Sequence, residues 1–527
     1  MATWNECNAT IGVSSGKWYW EVLFVSTAEL RGWLTGVRTT HGQVIDSSWG
    51  RGAWNAAEDG YAYSIWDDGS KTIDGTTTTS PAFMSALSDG DIIGFLLDLD
   101  SATTTFKVYV NNSLAGTLQS GLQAGQSWNP GIALADPSGG NNSIAIMNFG
   151  QDSSFAGEKT AQGNQDDNSI GDFYYDVPAG YLALCTSNLS APSIADPTDH
   201  FNTKLYTGTG SELAIDSVGF QPDFTWIKTR TLTYNHRVFD AVRGVTEELY
   251  TNDTDVEVTD AQSLKSFDAD GFTLGTGSGS NPSSTMISWN WKGDGVAGGT
   301  LNQDGDLDSQ VNVNTTAGFS IFGYVGDGGV SATVGHGLAQ TPELVIYKNR
   351  DGADDWVVYN KTITATDRLK LNDPGAATTA SSQFNDTEPS ASLVTIGTYN
   401  NINKLDDNYI AYAFHSVEGY SKIGSYEGNG DADGPFLYCG FRPAYVLIKE
   451  ADATSNWDIH NDKTLGYNPD NDQLSADENA VMKTNDFIDI VSNGVKIRTD
   501  DGGYNTDSST YIFYAIAETP FKTANAR

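Results

Sequence analysis

Cysteine is nearly absent from this chain of 527 residues, which contains only Cys7, Cys185 and Cys439. Three widely separated cysteines exclude a disulfide framework and match no metal-ligand spacing. We therefore expect synthesis in a reducing compartment. Cys185 and Cys439 stand within apolar runs, and the sequence predicts that both are small buried residues.

Long apolar runs are also missing. No stretch approaches the roughly 18 apolar residues that a membrane-spanning helix needs, which argues against membrane insertion. The first residues, Met1-Ala2-Thr3-Trp4, lack a basic region followed by an apolar core. The sequence therefore predicts synthesis in the cytoplasm without a signal peptide.

Basic residues are scarce, because 29 Lys and Arg stand against 67 Asp and Glu and give a net charge of −38. A chain with this charge is repelled by phosphate backbones and by anionic membrane surfaces, so nucleic-acid binding is not expected. The acidic residues are spread along the chain, which is typical of a solvating surface that salt screens well.

Catalytic motifs are missing as well. The chain has six histidines, none of which pairs with another at metal spacing, and it has no nucleophile elbow, zinc-protease motif or phosphate loop. We therefore expect a protein that is not an enzyme. A glycosidase needs a pair of carboxylates, and nothing in the sequence nominates such a pair among the 67 acids.

Calcium is the one cofactor for which the sequence offers candidate ligands. Two acidic turns place oxygen-bearing side chains on alternate residues: Asp304, Asp306 and Asp308 in the first turn, and Asn429, Asp431 and Asp433 in the second. Neither turn has an acid at the twelfth loop position, so neither is an EF-hand. The alternative interpretation is an acidic, solvated turn.

Glycine and aromatic residues, by contrast, are abundant. The chain has 56 Gly, 13 Trp, 24 Tyr and 22 Phe, and Ser, Thr, Asn and Gly fill the gaps between short apolar runs. This composition indicates an all-β protein with many turns. The length predicts three or four domains.

Residues 1–190 differ from the rest and contain clear strand candidates. Residues 17–22 alternate large apolar and polar groups, residues 91–100 are almost continuously apolar, and residues 106–110 are predicted to pair with them as a hairpin. Residues 143–149 form a further alternating strand, and Asn111-Asn112 is a turn signal.

Most aromatic side chains of this region are expected in its core, namely Trp18, Trp20, Trp33 and Phe106. Trp49 and Trp54 stand instead in a glycine-rich stretch with no strand periodicity, beside Arg51. Exposed loop aromatics can stack on sugars or protein side chains. Trp49 and Trp54 are therefore candidate ligand-binding residues, and simple packing of the loop is the alternative for them. Tyr61 and Trp66 complete the predicted set of ligand-binding residues.

Several motifs follow one another in residues 1–190: GKWYWEV at 16–22, GWLTGV at 32–37, YAY at 61–63, GDIIG at 90–94, FKVYVN at 106–111, NFGQ at 148–151 and DVPAGY at 176–181. Together these motifs resemble a SPRY (B30.2-type) domain. The resemblance implies a bent antiparallel β-sandwich that binds a partner through its loops and has no enzymatic activity.

The remaining sequence repeats one pattern three times. Each copy has an aromatic-x-Gly turn, then a Pro followed six residues later by a Lys, then an aromatic residue, then a final apolar strand. The anchors are Pro222 and Lys228, Pro342 and Lys348, and Pro443 and Lys449. Repeats of this length are typical of tandem domains. The predicted domains are residues 1–190, 191–299, 300–417 and 418–527.

Each repeat is predicted to be a small antiparallel sandwich, and the four units are expected to follow one another in series. Tyr-x-Gly is interpreted as a turn that needs a positive φ. The Pro is expected at a strand entry, and the Lys at the point where the strand emerges from the core.

The repeats contain the phrases GFQPD at 219–223, SLKSFDADGF at 263–272 and EGYSKIGSY at 418–426. With these phrases the repeats resemble modules of bacteriophage virion proteins, especially marine ones, that often follow a SPRY domain. It implies a structural protein on the virion surface, most simply a tail-fibre or receptor-binding component that contacts a host-surface glycan or protein. The expected partners are this receptor and other virion proteins, and a homotrimer is expected. A head fibre or capsid decoration protein is the alternative, and a glycan depolymerase is the third hypothesis.

Overall fold

The chain is all-β, as its composition predicts. The computed structural model describes residues 3–25, 33–39, 61–74, 76–124, 126–136, 144–379, 381–464, 468 and 472–523. The chain divides into two compact units, residues 1–191 and residues 192–527. Among the described residues, no helix has the length and apolar character needed to cross a membrane.

The first unit contains strands β1 to β12 in its described residues. Their bounds are Thr3–Asn8, Lys17–Val25, Trp33–Thr39, Ala62–Trp66, Lys71–Ile73, Thr76–Thr78, Ile92–Asp98, Thr105–Val110, Ser113–Ser120, Trp128–Asp136, Ile144–Asn148 and Leu182–Ala183. They form one sheet of order β1-β10-β3-β4-β5-β6 and a second of order β11-β2-β7-β8-β9, in which β12 also pairs with β2.

The core of the first unit lies between these two sheets. Trp18, Trp20, Trp33 and Phe106 are buried in it, which confirms the sequence prediction. The hairpin of β7 and β8 is also present, with Ile93 opposite Val110 and Leu97 opposite Phe106.

The turn predicted at Asn111-Asn112 joins β8 to β9. Both asparagines have positive φ, 47° and 62°. Such angles at both central residues match the right-handed twist of the flanking strands, and asparagine tolerates them better than most residues. The turn signal in the sequence is therefore confirmed.

The second unit contains three sets of strands, one for each repeat. Repeat 1 has β13 to β21: Phe201–Thr207, Leu213–Ile215, Phe224–Thr229, Arg237–Asp240, Glu247–Tyr250, Val258–Thr259, Leu264–Asp268, Gly271–Leu274 and Thr285–Trp291. Repeat 2 has β22 to β31: Thr300–Asn302, Ser309–Asn314, Phe319–Val325, Ala332–Gly335, Leu344–Asn349, Val357–Asn360, Asp367–Lys370, Thr378–Thr379, Leu393–Ile396 and Asn408–Phe414. Repeat 3 has β32 to β40: Ser421–Glu427, Phe436–Tyr438, Phe441–Glu450, Asp458–Asn461, Asp472–Ser475, Lys483–Thr484, Ile488–Val491, Gly494–Ile497 and Thr510–Pro520.

The described helices of the second unit are short. The α-helices are α1 (Ser381–Phe384), α2 (Asn400–Asn403) and α3 (Gly502–Asn505), and two 3₁₀ turns cover Pro197–Asp199 and Phe521–Thr523. None is long enough to form a layer of its own, so packing within this unit is between sheets.

Each repeat has one large sheet and one small sheet. The large sheets have the orders β13-β21-β15-β16-β17-β18, β22-β23-β24-β31-β26-β27-β28-β29 and β32-β40-β34-β35-β36-β37. The small sheets are β14-β20-β19, β25-β30 and β33-β39-β38. One face of each large sheet packs on apolar residues of its own repeat.

The other faces of the three large sheets meet in one shared core. Equivalent residues from each repeat lie there, for example Trp226, Ile346 and Leu447, which follow their anchor prolines by four residues. Each large sheet is thus buried on both sides, and strands such as Phe224–Thr229 are buried at every position. Each repeat is thus an antiparallel sandwich of a large and a small sheet, as predicted. The three sandwiches also share a core, and together they form one compact unit.

Equivalent backbone hydrogen bonds join the three repeats into a closed ring. Each bond runs from a loop of one repeat to the residue two positions after the anchor lysine of the next: Glu257 N to Arg350 O at 2.9 Å, Ala377 N to Ala451 O at 2.7 Å, and Met482 N to Arg230 O at 2.8 Å. Head-to-tail contacts of one kind generate a ring when the rotation closes. Here the rotation closes after three repeats of a single chain, and we call this body the three-repeat ring.

The glycines of the Tyr-x-Gly turns are required for a different reason from the one predicted. Gly208, Gly326 and Gly428 are not among the residues with positive φ. A Cβ atom at these positions would lie only 2.0, 2.3 and 2.1 Å from the carbonyl oxygens of Pro282, Lys404 and Thr506. The prediction of a left-handed turn was therefore wrong, and close approach of two backbone segments is the reason for glycine.

Candidate functional site

The structure separates the two sequence-predicted binding residues that it describes. Tyr61 immediately precedes β4, where its N–H donates to Thr39 Oγ1 at 2.9 Å, and its half-buried side chain packs on the first-unit core. Trp66 ends β4, is 7% exposed, and donates from its indole N–H to Thr72 Oγ1 at 2.8 Å. At about 3.3 Å per strand residue, the two lie at opposite ends of β4.

Trp49 and Trp54 lie outside the described residues, so the structure does not unite the predicted group of four. Trp66 packs against Leu34, Ala62 and Ala133. Its burial is that of a packing residue, because an indole that contacts a ligand needs an accessible face. The ligand-binding role of the four aromatic residues stays a prediction.

The first unit also contains a pocket of about 510 Å³ that the sequence did not predict. Ile11, Phe149 and Leu184 form part of its apolar lining, and Cys185 and Thr186 also contact it. Cys185 is half-buried there, so its predicted burial is only partly met, whereas Cys439 is buried and its burial raises the pKa of its thiol to about 12. None of the described residues that line the pocket is a histidine or a carboxylate that could transfer a proton.

A buried carboxylate fixes the irregular end of the first unit. Glu21, on β2, accepts backbone hydrogen bonds from Tyr174 at 2.9 Å and Tyr175 at 2.8 Å. It also accepts hydrogen bonds from the Tyr19 hydroxyl at 2.9 Å and the Asn148 amide at 3.2 Å. Burial raises the pKa of Glu21, and these four donors act against that shift. The role of this carboxylate is to tie chain segments together, because its oxygens are fully used.

The three anchor lysines are buried, although the sequence predicted that they emerge from the core. Lys228, Lys348 and Lys449 are all 0% exposed. The Lys348 Nζ donates to the carbonyl oxygens of Thr254 at 3.0 Å and Asp354 at 2.7 Å, and therefore links repeat 2 to repeat 1. Burial lowers the pKa of each lysine to about 8. The prediction missed this because a lysine on a strand is usually solvated.

Three histidines of the ring serve packing. His236, His336 and His460 are each 0% exposed. The His236 Nδ1 accepts a hydrogen bond from the Trp226 indole at 2.9 Å, and burial lowers the pKa of His336 to about 4. Groups this deeply buried are not accessible to a substrate.

The side chains of the two acidic turns form contacts within the protein. Across the part of the chain that the structure describes, no group of three or more His, Cys, Asp or Glu residues could hold a metal ion. Asp306 accepts hydrogen bonds from the Thr333 N–H and hydroxyl at 3.0 and 2.7 Å, and Asp433 pairs with Lys496 at 2.7 Å.

The other residues of these turns also have protein partners. Gln303 donates to Asp308 at 3.3 Å, Asn302 donates to Asp304 at 3.0 Å, and Asn429 accepts from the Asp431 N–H at 3.0 Å. These contacts are with side chains and backbone groups of the chain itself. Calcium binding at Asp304, Asp306, Asp308, Asn429, Asp431 and Asp433 stays a prediction.

Sequence reasoning missed a set of buried asparagines that organise one end of each repeat. Asn281, Asn403 and Asn505 are 0% exposed, and each hydrogen-bonds the loop that follows a Tyr-x-Gly turn. The turn tyrosines donate to the carbonyl just before each asparagine: Tyr206 to Ser280 O at 2.9 Å, Tyr324 to Ile402 O at 2.8 Å, and Tyr426 to Tyr504 O at 2.9 Å. Aligning the repeats on their final apolar strands could have revealed these asparagines.

The chain belongs to the family described as "Domain of unknown function (DUF7483)", whose profile matches residues 196–520. This span covers more than half of the chain and contains all three repeats. The family therefore corresponds to the three-repeat ring as a whole. Its description states no activity.

Solved structures similar to this chain include SPRY domains. The SPRY domain of human HERC1 is 18% identical and the match covers 28% of this chain and 82% of that one, with a TM-score of 0.21. A human SPRY domain is 16% identical over 28% and 85% of the chains, with a TM-score of 0.19. Stonustoxin is 17% identical over 27% and 22%, with a TM-score of 0.19. No curated protein matches the sequence.

Proposed function

We propose that this protein is a non-enzymatic structural component of a bacteriophage particle. In this proposal it is exposed on the virion surface as a tail-fibre or receptor-binding part, and the first unit contacts a glycan or protein of the host surface. The family of the ring states no function, so the proposal rests on the sequence resemblance together with the architecture of the ring.

The closed ring is the observation that carries the proposal. Three equivalent bonds of 2.7 to 2.9 Å close it, and its large sheets are buried on both faces. We expect little local unfolding of single repeats in such a body, because each large sheet packs against neighbours on both faces. A rigid platform of this kind suits the presentation of a binding unit. The predicted homotrimer stays a prediction.

Receptor binding can be tested with the whole chain on an array of bacterial surface polysaccharides and on intact bacterial cells. We expect binding that Trp54→Ala weakens at least tenfold and that Trp54→Phe largely retains, because an aromatic face is what stacks on a sugar. Equal binding by Trp54→Ala would contradict the assignment of this residue. Absence of binding to every array member and cell type would contradict the receptor-binding role.

The position on the particle needs a separate measurement. Quantitative mass spectrometry of purified particles gives the copy number of this chain. A few copies support a tail fibre, and hundreds support a head fibre or decoration protein. Shortening of the polysaccharide chains on incubation with the protein would contradict the non-enzymatic role.

A further inference from the structure

The outer edge of the repeat 1 sheet is β13, and half of its backbone groups point away from the sheet. Gly208 N donates to Ser284 O at 2.8 Å, and Lys292 N donates to His200 O at 2.9 Å. Because alternate residues of an antiparallel strand bond the same neighbour, the even-numbered residues of β13 bond β21. The odd-numbered residues Phe201, Thr203, Leu205 and Thr207 therefore direct their N–H and C=O groups outward.

These outward groups have no hydrogen-bond partner in the described part of the chain. The Thr203 hydroxyl is also buried without a partner among the described residues, and the residue is only 5% exposed. Leu205 is half-buried and Thr207 is exposed, so the second half of the edge is accessible. An unpaired edge of this kind is a template for another strand.

In repeat 2, the equivalent edge is paired with a further strand of the same chain. Its equivalent strand, β24, pairs with β23 from Phe319 to Tyr324, and β22 extends the sheet further. Ile321, the counterpart of Thr203, lies opposite Asn312, and Gly323, the counterpart of Leu205, lies opposite Gln310. The chain itself thus supplies the strand that repeat 1 lacks.

Repeat 3 covers its equivalent edge, β32, in part. Ser421 N donates to Val417 O at 2.9 Å, and Ile423 N donates to Ser416 Oγ at 2.9 Å. Only β13 leaves all of its outward groups unpaired within the described residues. The three repeats are therefore alike in fold and different at this edge.

We propose that β13 is a docking edge for one extended strand of a partner protein, which adds antiparallel to it in the place that β23 takes in repeat 2. Strand addition of this kind draws affinity from main-chain hydrogen bonds and specificity from alternate side chains.

The side chains of β13 define the chemistry of the incoming strand. Val311 of β23 lies opposite Phe322, and the counterpart of Phe322 in β13 is Lys204. Lys204 is half-buried, its Nζ donates to the Ser217 carbonyl oxygen at 3.3 Å, and no carboxylate pairs with it in the described part of the chain. A carboxylate opposite Lys204 would form a favourable cross-strand pair. The incoming strand is thus an alternating segment with Asp or Glu at the position that Val311 holds in β23.

The probes are two synthetic peptides, one that copies residues 307–315 and one that carries Val311→Glu. Hydrogen exchange of the whole protein, followed by mass spectrometry, reports on residues 201–207. We expect the Val311→Glu peptide, at up to about 1 mM, to slow hydrogen exchange of these residues at least fivefold. The unchanged peptide should slow it less. The paired strand Phe319–Val325 should not respond.

Two variants separate strand addition from other binding. Leu205→Pro removes an outward N–H that the sheet does not use, and it should abolish the protection, whereas Leu205→Val keeps the N–H and should retain it. Lys204→Glu should weaken binding of the Val311→Glu peptide to the protein at least fivefold. Unchanged exchange with both peptides, or equal protection in the proline variant, would overturn the proposal. If the proline variant does not fold, loss of the charge preference in Lys204→Glu remains the deciding result. These outcomes are independent of the receptor-binding test.

Discussion

The two units of this protein cover the outer faces of their sheets in different ways. The first unit lays an irregular segment over the sheet that contains β2, with Phe173, Tyr181 and Ala183 packed against Tyr19 and Leu96. The ring covers each large sheet with a small sheet on one side and with the other repeats on the opposite side. The first arrangement depends on a few buried carboxylates, of which Glu21 and Asp166 each accept four hydrogen bonds, and the second is distributed over equivalent contacts. We therefore expect a disruptive substitution to unfold the first unit locally, and to destabilise all three repeats together when it lies in the ring.

The largest expected effect comes from removing an inter-repeat tryptophan. Trp356 is 1% exposed and donates from its indole N–H to Tyr250 O of repeat 1 at 2.8 Å. Trp356→Ala should lower the free energy of unfolding of the ring by about 3–5 kcal/mol, through the cavity and the lost bond. Calorimetry should show one displaced transition for all three repeats.

Trp356→His is the matched control for this prediction. Repeat 1 holds His236 at the position that Trp356 occupies in repeat 2 and Trp457 in repeat 3. The imidazole fills part of the space and keeps a donor, so we expect a smaller loss than with alanine. Separate transitions for the three repeats would contradict collective unfolding.

The corresponding change in the first unit is Glu21→Ala. It leaves the donors of Tyr19, Tyr174 and Tyr175 without their acceptor, and it removes one of the two acceptors of the Asn148 amide. We expect a loss of about 2–4 kcal/mol in the first unit, because buried unsatisfied donors are costly. Glu158→Ala, at an exposed position of the same unit, should have little effect. An equal shift of the ring transition would contradict the separation of the two units.

A smaller effect is expected from the glycine at the end of β24. Gly326→Ala would place a Cβ atom 2.3 Å from the carbonyl oxygen of Lys404, so the two backbone segments must separate. We expect a loss of about 1–3 kcal/mol in urea unfolding of the ring. In the control Gly502→Ala, the nearest atom is the flexible Thr506 Oγ1 at 3.3 Å, and the change should be within about 0.5 kcal/mol.

The buried lysines predict a pH dependence of the ring. The folded-state pKa of Lys348 is about 8, below its ordinary value of 10.5, because burial disfavours the charged form. Between these two values the unfolded chain binds more protons, so the contribution of this group to stability increases as the pH rises.

Urea unfolding at pH 7.5 and at pH 9.5 tests this sign. Over this interval the free energy of unfolding of the wild-type protein should increase by about 1 kcal/mol or more relative to that of Lys348→Met. The reason is that one pKa unit corresponds to about 1.4 kcal/mol. The buried tyrosines are common to both proteins and cancel in the difference. A difference that shrinks or does not change with pH would contradict the assignment.

The smallest effect is expected from an exposed ion pair of the ring. Lys265 and Glu212 lie 2.7 Å apart, with 39% and 65% of their side chains exposed. Lys265→Ala should cost less than about 1 kcal/mol, and added salt should remove the difference. By contrast, Arg243→Ala should cost several kcal/mol, because it leaves the buried Asp240 carboxylate without its partner.

The sequence allowed the repeats and the all-β class to be predicted, but it did not reveal the shared core. The recurring Pro and Lys placed β15, β26 and β34 correctly. Apolar residues show that a face is buried and do not show which surface covers it. One signal was present: residues 224–229 (FTWIKT) do not alternate strictly, as a strand buried on both sides need not.

The candidate binding residues were harder to predict than the fold. Trp66 was chosen as a loop aromatic, and it ends a strand and is buried. Composition cannot distinguish an aromatic residue that contacts a ligand from one that packs under a loop, because both occur beside glycine. The open edge of β13 was not predictable either, since it follows from comparing how three folded copies pair.

The bond from Met482 to Arg230 has a consequence for synthesis of the chain. It joins residues of the third and first repeats, so the circle cannot be completed until the third repeat has left the ribosome. Until then, the aromatic faces of the first two repeats have no final partner, and such surfaces promote aggregation. A shortened chain that lacks the third repeat should therefore accumulate as insoluble protein, even though two thirds of the repeated sequence is intact.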